Sequence, residues 1–267
     1  MEIKKHTLNF LNKTETNIFY FLPDIDQTFP KTMAIFTHGY TADKSSILNW
    51  ALRLCEVGVP VALFDLPGHY LGNFSEVDDF TDFTEHAHEL FAQAFKELKK
   101  HYLESFPLNE HDLDEHELKV VLGGHSLGSL LSLKALKSDA FSNYQRLSIV
   151  VGLGMAPKDV VHLFDTPFYK STLKIREQLV SPALKPDNIF PWIKKEKEEI
   201  EIHGERIHFI TGVDDLVVGN DGMERLAERF LQMNNTVTME KPSKLPHHEP
   251  ELAASHVKKF LKGIQWI

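Results

Sequence analysis

Short apolar runs alternate along the chain with longer stretches in which apolar residues recur every three or four positions. That alternation is the signature of a mostly parallel sheet covered by helices on both faces. Residues 17–22 read as an early strand, paired with residues 3–11 as a hairpin. Residues 33–37 and 60–65 are apolar runs of strand length, and residues 45–57 between them have helical spacing. Phe83, Ala87, Leu90, Phe91, Ala94, Phe95, Leu98 and Tyr102 place one apolar face on a helix, with Asp82 and Glu85 read as its capping residues. Further strands are predicted at 118–123, 147–153, 207–211 and 237–239, and helices at 129–136, 223–232 and 251–261.

Residues 158–205 break this alternation. They leave one strand and return to the next, which predicts an excursion over the carboxyl edge of the sheet, where open α/β sheets bind ligands. The expectation is a small helical cap after the sixth strand, carried by a single domain spanning 1–267. Phe164, Phe168, Tyr169, Leu179, Phe190 and Trp192 either line a pocket or form the insertion's own core, and the second is the commoner use of such residues. The charged run at 194–199 reads as a solvated helix face.

With 267 residues, 42% of them apolar and 25% charged, the chain is long enough to bury the core of one large α/β domain. A formal charge of −9 argues against a nucleic-acid partner, which calls for a basic face. Cys55 is the sole cysteine, so no intramolecular disulfide can form, and its place among Leu52, Leu54 and Val57 reads as a buried thiol. The first residues lack the continuous apolar segment of a secretion signal, and no stretch reaches the length of a membrane span. A cytoplasmic protein is the expectation.

The chemistry concentrates at Gly124-His125-Ser126-Leu127-Gly128, which follows an apolar strand directly and precedes a helical stretch directly. A serine at such a turn has a strained backbone and an outward hydroxyl, and flanking glycines let strand and helix approach closely. The hydroxyl needs a base, and the base needs a third group to hold it. Asp214 and Asp215 follow a later strand at the same edge, and His247 and His248 lie in the loop after the last strand. The order Ser, Asp, His is the one expected of this architecture.

Over nearly its whole length the chain resembles the α/β-hydrolase superfamily. The matching segments are Thr37-His38-Gly39-Tyr40, Asp65-Leu66-Pro67-Gly68-His69, the serine turn, Gly212-Val213-Asp214-Asp215 and His248-Glu249-Pro250. The resemblance implies an α/β-hydrolase fold with Ser126 as nucleophile, Asp215 as the acid that orients the base, and His248 as general base and then acid. It favours Asp215 over Asp214, while Asp159 is the candidate in relatives that carry the acid after the sixth strand. It favours His248 over His247 because Glu-Pro follows, leaving His247 at the surface or beside the triad. It also implies an oxyanion hole from the backbone N–H groups of Tyr40 and Leu127.

The expected activity is hydrolysis of a small-molecule carboxylic ester through an acyl-enzyme, with no cofactor and no metal. A thioesterase, lactonase or amidase would use the same groups, a dehalogenase would need an aspartate nucleophile, and a peroxidase or lyase variant stays open. A non-catalytic ligand-binding protein is the rival of a different class. Other constellations are read as structural. His125 is a turn residue pointing away from the hydroxyl, and His69 fixes its loop, where Tyr70-Leu71-Gly72 departs from the family's Gly-x-Ser. His111 to His116 form a solvated loop, and His86 and His88 cannot share a helix face.

Overall fold

The computed structural model describes residues 1–24, 31–104, 117–157 and 163–267. Strands β1 (Glu2–Phe10), β2 (Thr14–Leu22), β3 (Thr32–Thr37), β4 (Val61–Phe64), β5 (Lys119–His125), β6 (Gln145–Val151), β7 (Arg206–Ile210) and β8 (Thr236–Glu240) form one sheet in the order β1-β2-β4-β3-β5-β6-β7-β8. β1 and β2 are an antiparallel hairpin, and β2 runs antiparallel to β4. All remaining pairings are parallel. Strands β3 and β4 are buried at every position, as expected of apolar runs covered on both faces.

The helices are α1 (Leu48–Cys55), α2 (Phe80–His86), α3 (Leu90–Glu104), α4 (Leu127–Ala135), α5 (Pro167–Arg176), α6 (Pro186–Glu199), α7 (Gly222–Gln232) and α8 (Ala254–Gly263). On one face of the sheet, Trp50 and Leu54 of α1 pack with Val257 and Leu261 of α8 against Phe36, Leu63 and Ile149. On the other, α3, α4 and α7 bury Phe91, Leu130 and Phe230 among Ile35, Leu122 and Phe209. Cys55 is buried as expected, and burial pushes its thiol up to about 11.

Two local expectations differ. The helix expected to start at Asp82 begins at Phe80, because Asp79 accepts the Thr81 N–H at 2.7 Å and Phe80 and Phe83 both pack on Trp192. It is also interrupted by a tighter turn at Ala87–Glu89 before α3. The charged run in α6 is not uniformly solvated: Glu196 pairs with Lys134 at 2.9 Å, and the Lys197 ammonium donates to Gly154 O at 2.6 Å.

Between β6 and β7 the chain carries α5 and α6, the helical cap expected after the sixth strand. Its middle is fastened to the turn after β4. Tyr70 N–H donates to Leu179 O and Ser181 N–H to Gly68 O, both at 2.9 Å, and His69 and Val180 form an isolated bridge. Gly68 has φ +71, and a Cβ there would lie 2.7 Å from Ser181 Oγ, so glycine permits both the turn and the contact. The expected loop at 111–116 lies outside the described residues, as do the first residues of the expected cap.

Candidate active site

Register brings the loops together. Thr37 lies opposite Gly124, His125 opposite Val151, and Val151 opposite Ile210, so the chain leaves β3, β5, β6 and β7 at one sheet edge. Ser126 sits between β5 and α4 with φ 50 and ψ −108, a conformation that costs a non-glycine residue about 1–3 kcal/mol. The surroundings enforce it. Ser126 N–H donates to Val151 O at 2.8 Å, and its carbonyl accepts the Leu130 N–H at 3.1 Å. The Ser129 hydroxyl donates to Gly124 O at 2.5 Å and accepts the Val151 N–H at 2.9 Å. Gly128 is needed because a Cβ would lie 2.5 Å from Thr37 O and 2.6 Å from His38 O, main-chain atoms that cannot turn aside.

Asp214 and Asp215 divide the work of the loop after β7. Asp215 is buried, and its Oδ1 accepts the N–H groups of Val217 and Val218, both at 2.9 Å. Its Oδ2 accepts from His247 Nδ1 at 2.9 Å. Exposed Asp214 instead accepts the Leu245 N–H at 2.8 Å, bracing the loop that leads to the histidines. Asp215, expected to orient His248, thus stands beside His247 instead. Asp159 lies outside the described residues.

The histidine differs from the expectation. His248, expected from the sequence as the base, does not meet Asp215: its Nε2 stands 3.2 Å from the Tyr169 hydroxyl, and the residue is exposed. Partial desolvation of its ring, with His247 and Arg176 nearby, lowers its pKa. His247 is the residue turned inward to the carboxylate. Adjacent loop residues project in different directions, and no periodicity in the sequence says which one the Leu245 anchor aims at the sheet edge.

His125 is more than the turn residue the sequence suggests, for its ring packs 4.7 Å from that of His247. It is seated between Gly39 and Gly152, where a Cβ would approach it to 2.7 Å and 2.9 Å. Burial, reinforced by His247 and His248, drives its pKa well below the usual value and keeps it neutral. His38 is fully buried, and its Nδ1–H donates to Gly39 O at 2.8 Å while Nε2 accepts the Leu66 N–H at 2.9 Å. Burial lowers its pKa to about 4. It ties the loop after β3 to the loop after β4.

Leu127 is the first residue of α4, where helix geometry supplies its N–H with no carbonyl partner. Tyr40 follows Gly39 in the adjoining loop, and its hydroxyl donates to Leu184 O in the cap at 2.9 Å. Two cavities of about 350 and 390 Å³ share Ser126, Tyr40, Phe190 and His247 as lining. The aromatics of the cap thus divide: Tyr169 and Phe190 face these cavities, whereas Trp192 packs on Phe80 and Phe83. Among the described residues no helix is long and apolar enough to cross a membrane.

A sheet of this order, with its serine turn and the loops of β7 and β8 beside it, defines a class, and sequence matching reaches the same one. A model of the Alpha/beta hydrolase family matches residues 34–250, from β3 to just past the two loop histidines, and the chain belongs to that family. Solved structures of similar fold include a carboxyl esterase from Bacillus coagulans (TM-score 0.63, 16% identity, 99% of this chain and 98% of that one). A lipase in an open form is also similar (TM-score 0.61, 15% identity, 98% and 99% covered). So is an esterase from Pyrococcus furiosus (TM-score 0.59, 17% identity, 98% and 90% covered). At such identities the likeness is one of fold. No curated protein matches by sequence.

Proposed function

We propose that the protein is a serine hydrolase that cleaves small carboxylic esters, with Ser126 as nucleophile, His247 as general base and acid, and Asp215 as the group that orients it. The observation that carries this reading is the His247–Asp215 hydrogen bond of 2.9 Å in a cavity wall that also contains Ser126. With Nδ1–H held by Asp215, the lone pair of Nε2 is free to take the serine proton. The serine oxygen then attacks the ester carbonyl, and the N–H groups of Leu127 and Tyr40 stabilise the oxyanion. Collapse expels the alcohol, protonated by His247, and leaves an acyl-serine. Water, deprotonated by the same histidine, then releases the acid.

Esters fit two modest cavities meeting at one hydroxyl, one for each side of the scissile bond. Thioester, lactone and amide substrates would use the same groups and differ in the leaving atom. Labelling with a fluorophosphonate tests the mechanism: the wild type reacts at Ser126 and Ser126→Ala does not. A panel of esters and thioesters of increasing acyl length then ranks the bond types. Folded wild-type protein that neither reacts with the probe nor turns over any ester would overturn the reading in favour of a non-catalytic binder.

A further inference from the structure

Arg176 stands in the last turn of α5, half-buried, in the wall of the 350 Å³ cavity that contains Ser126 and His247. Among the described residues no Asp or Glu lines that cavity. Among the described residues its one hydrogen bond is long, from Nη1 to Thr41 Oγ1 at 3.4 Å, and no carboxylate lies within ion-pair distance of it. Arg206 is exposed at the start of β7, where water serves it, and the remaining arginines are better satisfied. Arg53, Arg146 and Arg225 each have a carboxylate partner, and Arg229 is held by the carbonyls of Glu198 and Ile200.

A cation at a helix C-terminus also meets the helix dipole, but that role needs only a solvated side chain. Lys174, exposed in the same turn, already fills it. The charge of Arg176 is instead felt inside the cavity: burial and His247 lower the pKa of His248 and Arg176 adds to that, while Arg176 opposes the rise that burial causes at Tyr169. The second cavity differs: it is lined by a carboxylate, Asp165, and by two lysines, of which Lys197 is engaged by Gly154 O and Lys194 is exposed to solvent.

Resting on Ser126 as the nucleophile, we propose that Arg176 recognises a free carboxylate on the substrate, so that the preferred esters carry an acid group on one side of the scissile bond. A guanidinium presents parallel N–H donors that match both oxygens of a carboxylate. The Thr41 contact occupies one nitrogen and leaves the rest of the fork to the cavity.

The test compares matched pairs. On the acyl side these are the 4-nitrophenyl half-ester of glutaric acid and 4-nitrophenyl valerate, and on the alcohol side 4-carboxyphenyl acetate and phenyl acetate. Wild type should favour the acid-bearing member of one pair by about tenfold or more in kcat/KM, the scale of one charge-assisted contact. Arg176→Met should collapse that ratio through KM, and Arg176→Lys should keep part of it. Equal rates within both pairs, or a preference that survives Arg176→Met, would overturn the proposal.

Glutarate binding to Ser126→Ala, measured by calorimetry, reads the site without turnover. Binding weakened about tenfold or more by the added Arg176→Met supports the proposal even if Ser126 proves not to be a nucleophile. Absence of glutarate binding together with equal rates sinks it while leaving neutral-ester hydrolysis standing.

Discussion

Asp214 Oδ1 accepts the Leu245 N–H at 2.8 Å, so the acid beside Asp215 holds the loop that delivers His247. One aspartate aims the imidazole and the other secures the chain on which it is mounted. Asp214→Ala should therefore reduce kcat, by up to about tenfold for loss of one hydrogen bond to a charged acceptor at an exposed position. Asp214→Asn keeps an oxygen acceptor and should retain most of the rate. Steady-state kinetics of the two variants make the comparison.

The neighbouring histidines should separate sharply. His247→Ala is expected to lower kcat by about a thousandfold or more, as loss of the base does in triad enzymes. His248→Ala removes the contact with Tyr169, 3.2 Å away, and an edge-on contact with the His247 ring, and should cost far less. The reverse order in a fixed ester assay would restore His248 as the base.

Close packing at the serine turn predicts a stability effect. Gly128→Ala puts a methyl group 2.5 Å from Thr37 O, and should destabilise the fold by about 1–3 kcal/mol and impair activity. Gly263→Ala meets nothing within 4 Å and should leave the melting temperature unchanged or slightly raised.

Buried His38 should be visible in acid. Its pKa is about 4 in the fold against 6.5 for an unperturbed imidazole, so between these values the unfolded chain binds more protons. Stability is intact above 6.5 and falls as the pH drops toward 4, by about 1.4 kcal/mol per pH unit for this one group. His38→Gln, which keeps an acceptor for the Leu66 N–H, should flatten that slope by about one proton in urea melts between about pH 7 and pH 5.

The sheet and the serine turn were legible because burial on both faces writes continuous apolar runs, and because a close strand-to-helix approach demands glycine at 124 and 128. Asp215 is legible only through the resemblance to the family, by its offset from the glycine that ends the strand. What could not be read depended on contacts across the fold. Asp79 prevails over Asp82 as the cap because α2 reaches back to Trp192, a residue more than a hundred positions away. That His247 and not His248 meets Asp215 depends on an irregular loop whose path is held by the Leu245 contact with Asp214. Lys197 looks like one more surface charge, yet burial lowers its pKa to about 8 and a main-chain carbonyl claims it.

Backbone pairing of residues 179–181 with the turn at 68–70 gives α5 and α6 a common mooring on the sheet. The two helices flank that mooring, with Tyr169 and Arg176 on one side and Phe190 and Lys197 on the other. Phe190 lines both cavities at Ser126, so the two helices share one wall as well as one mooring, and loosening the pairing at 179–181 would release both together.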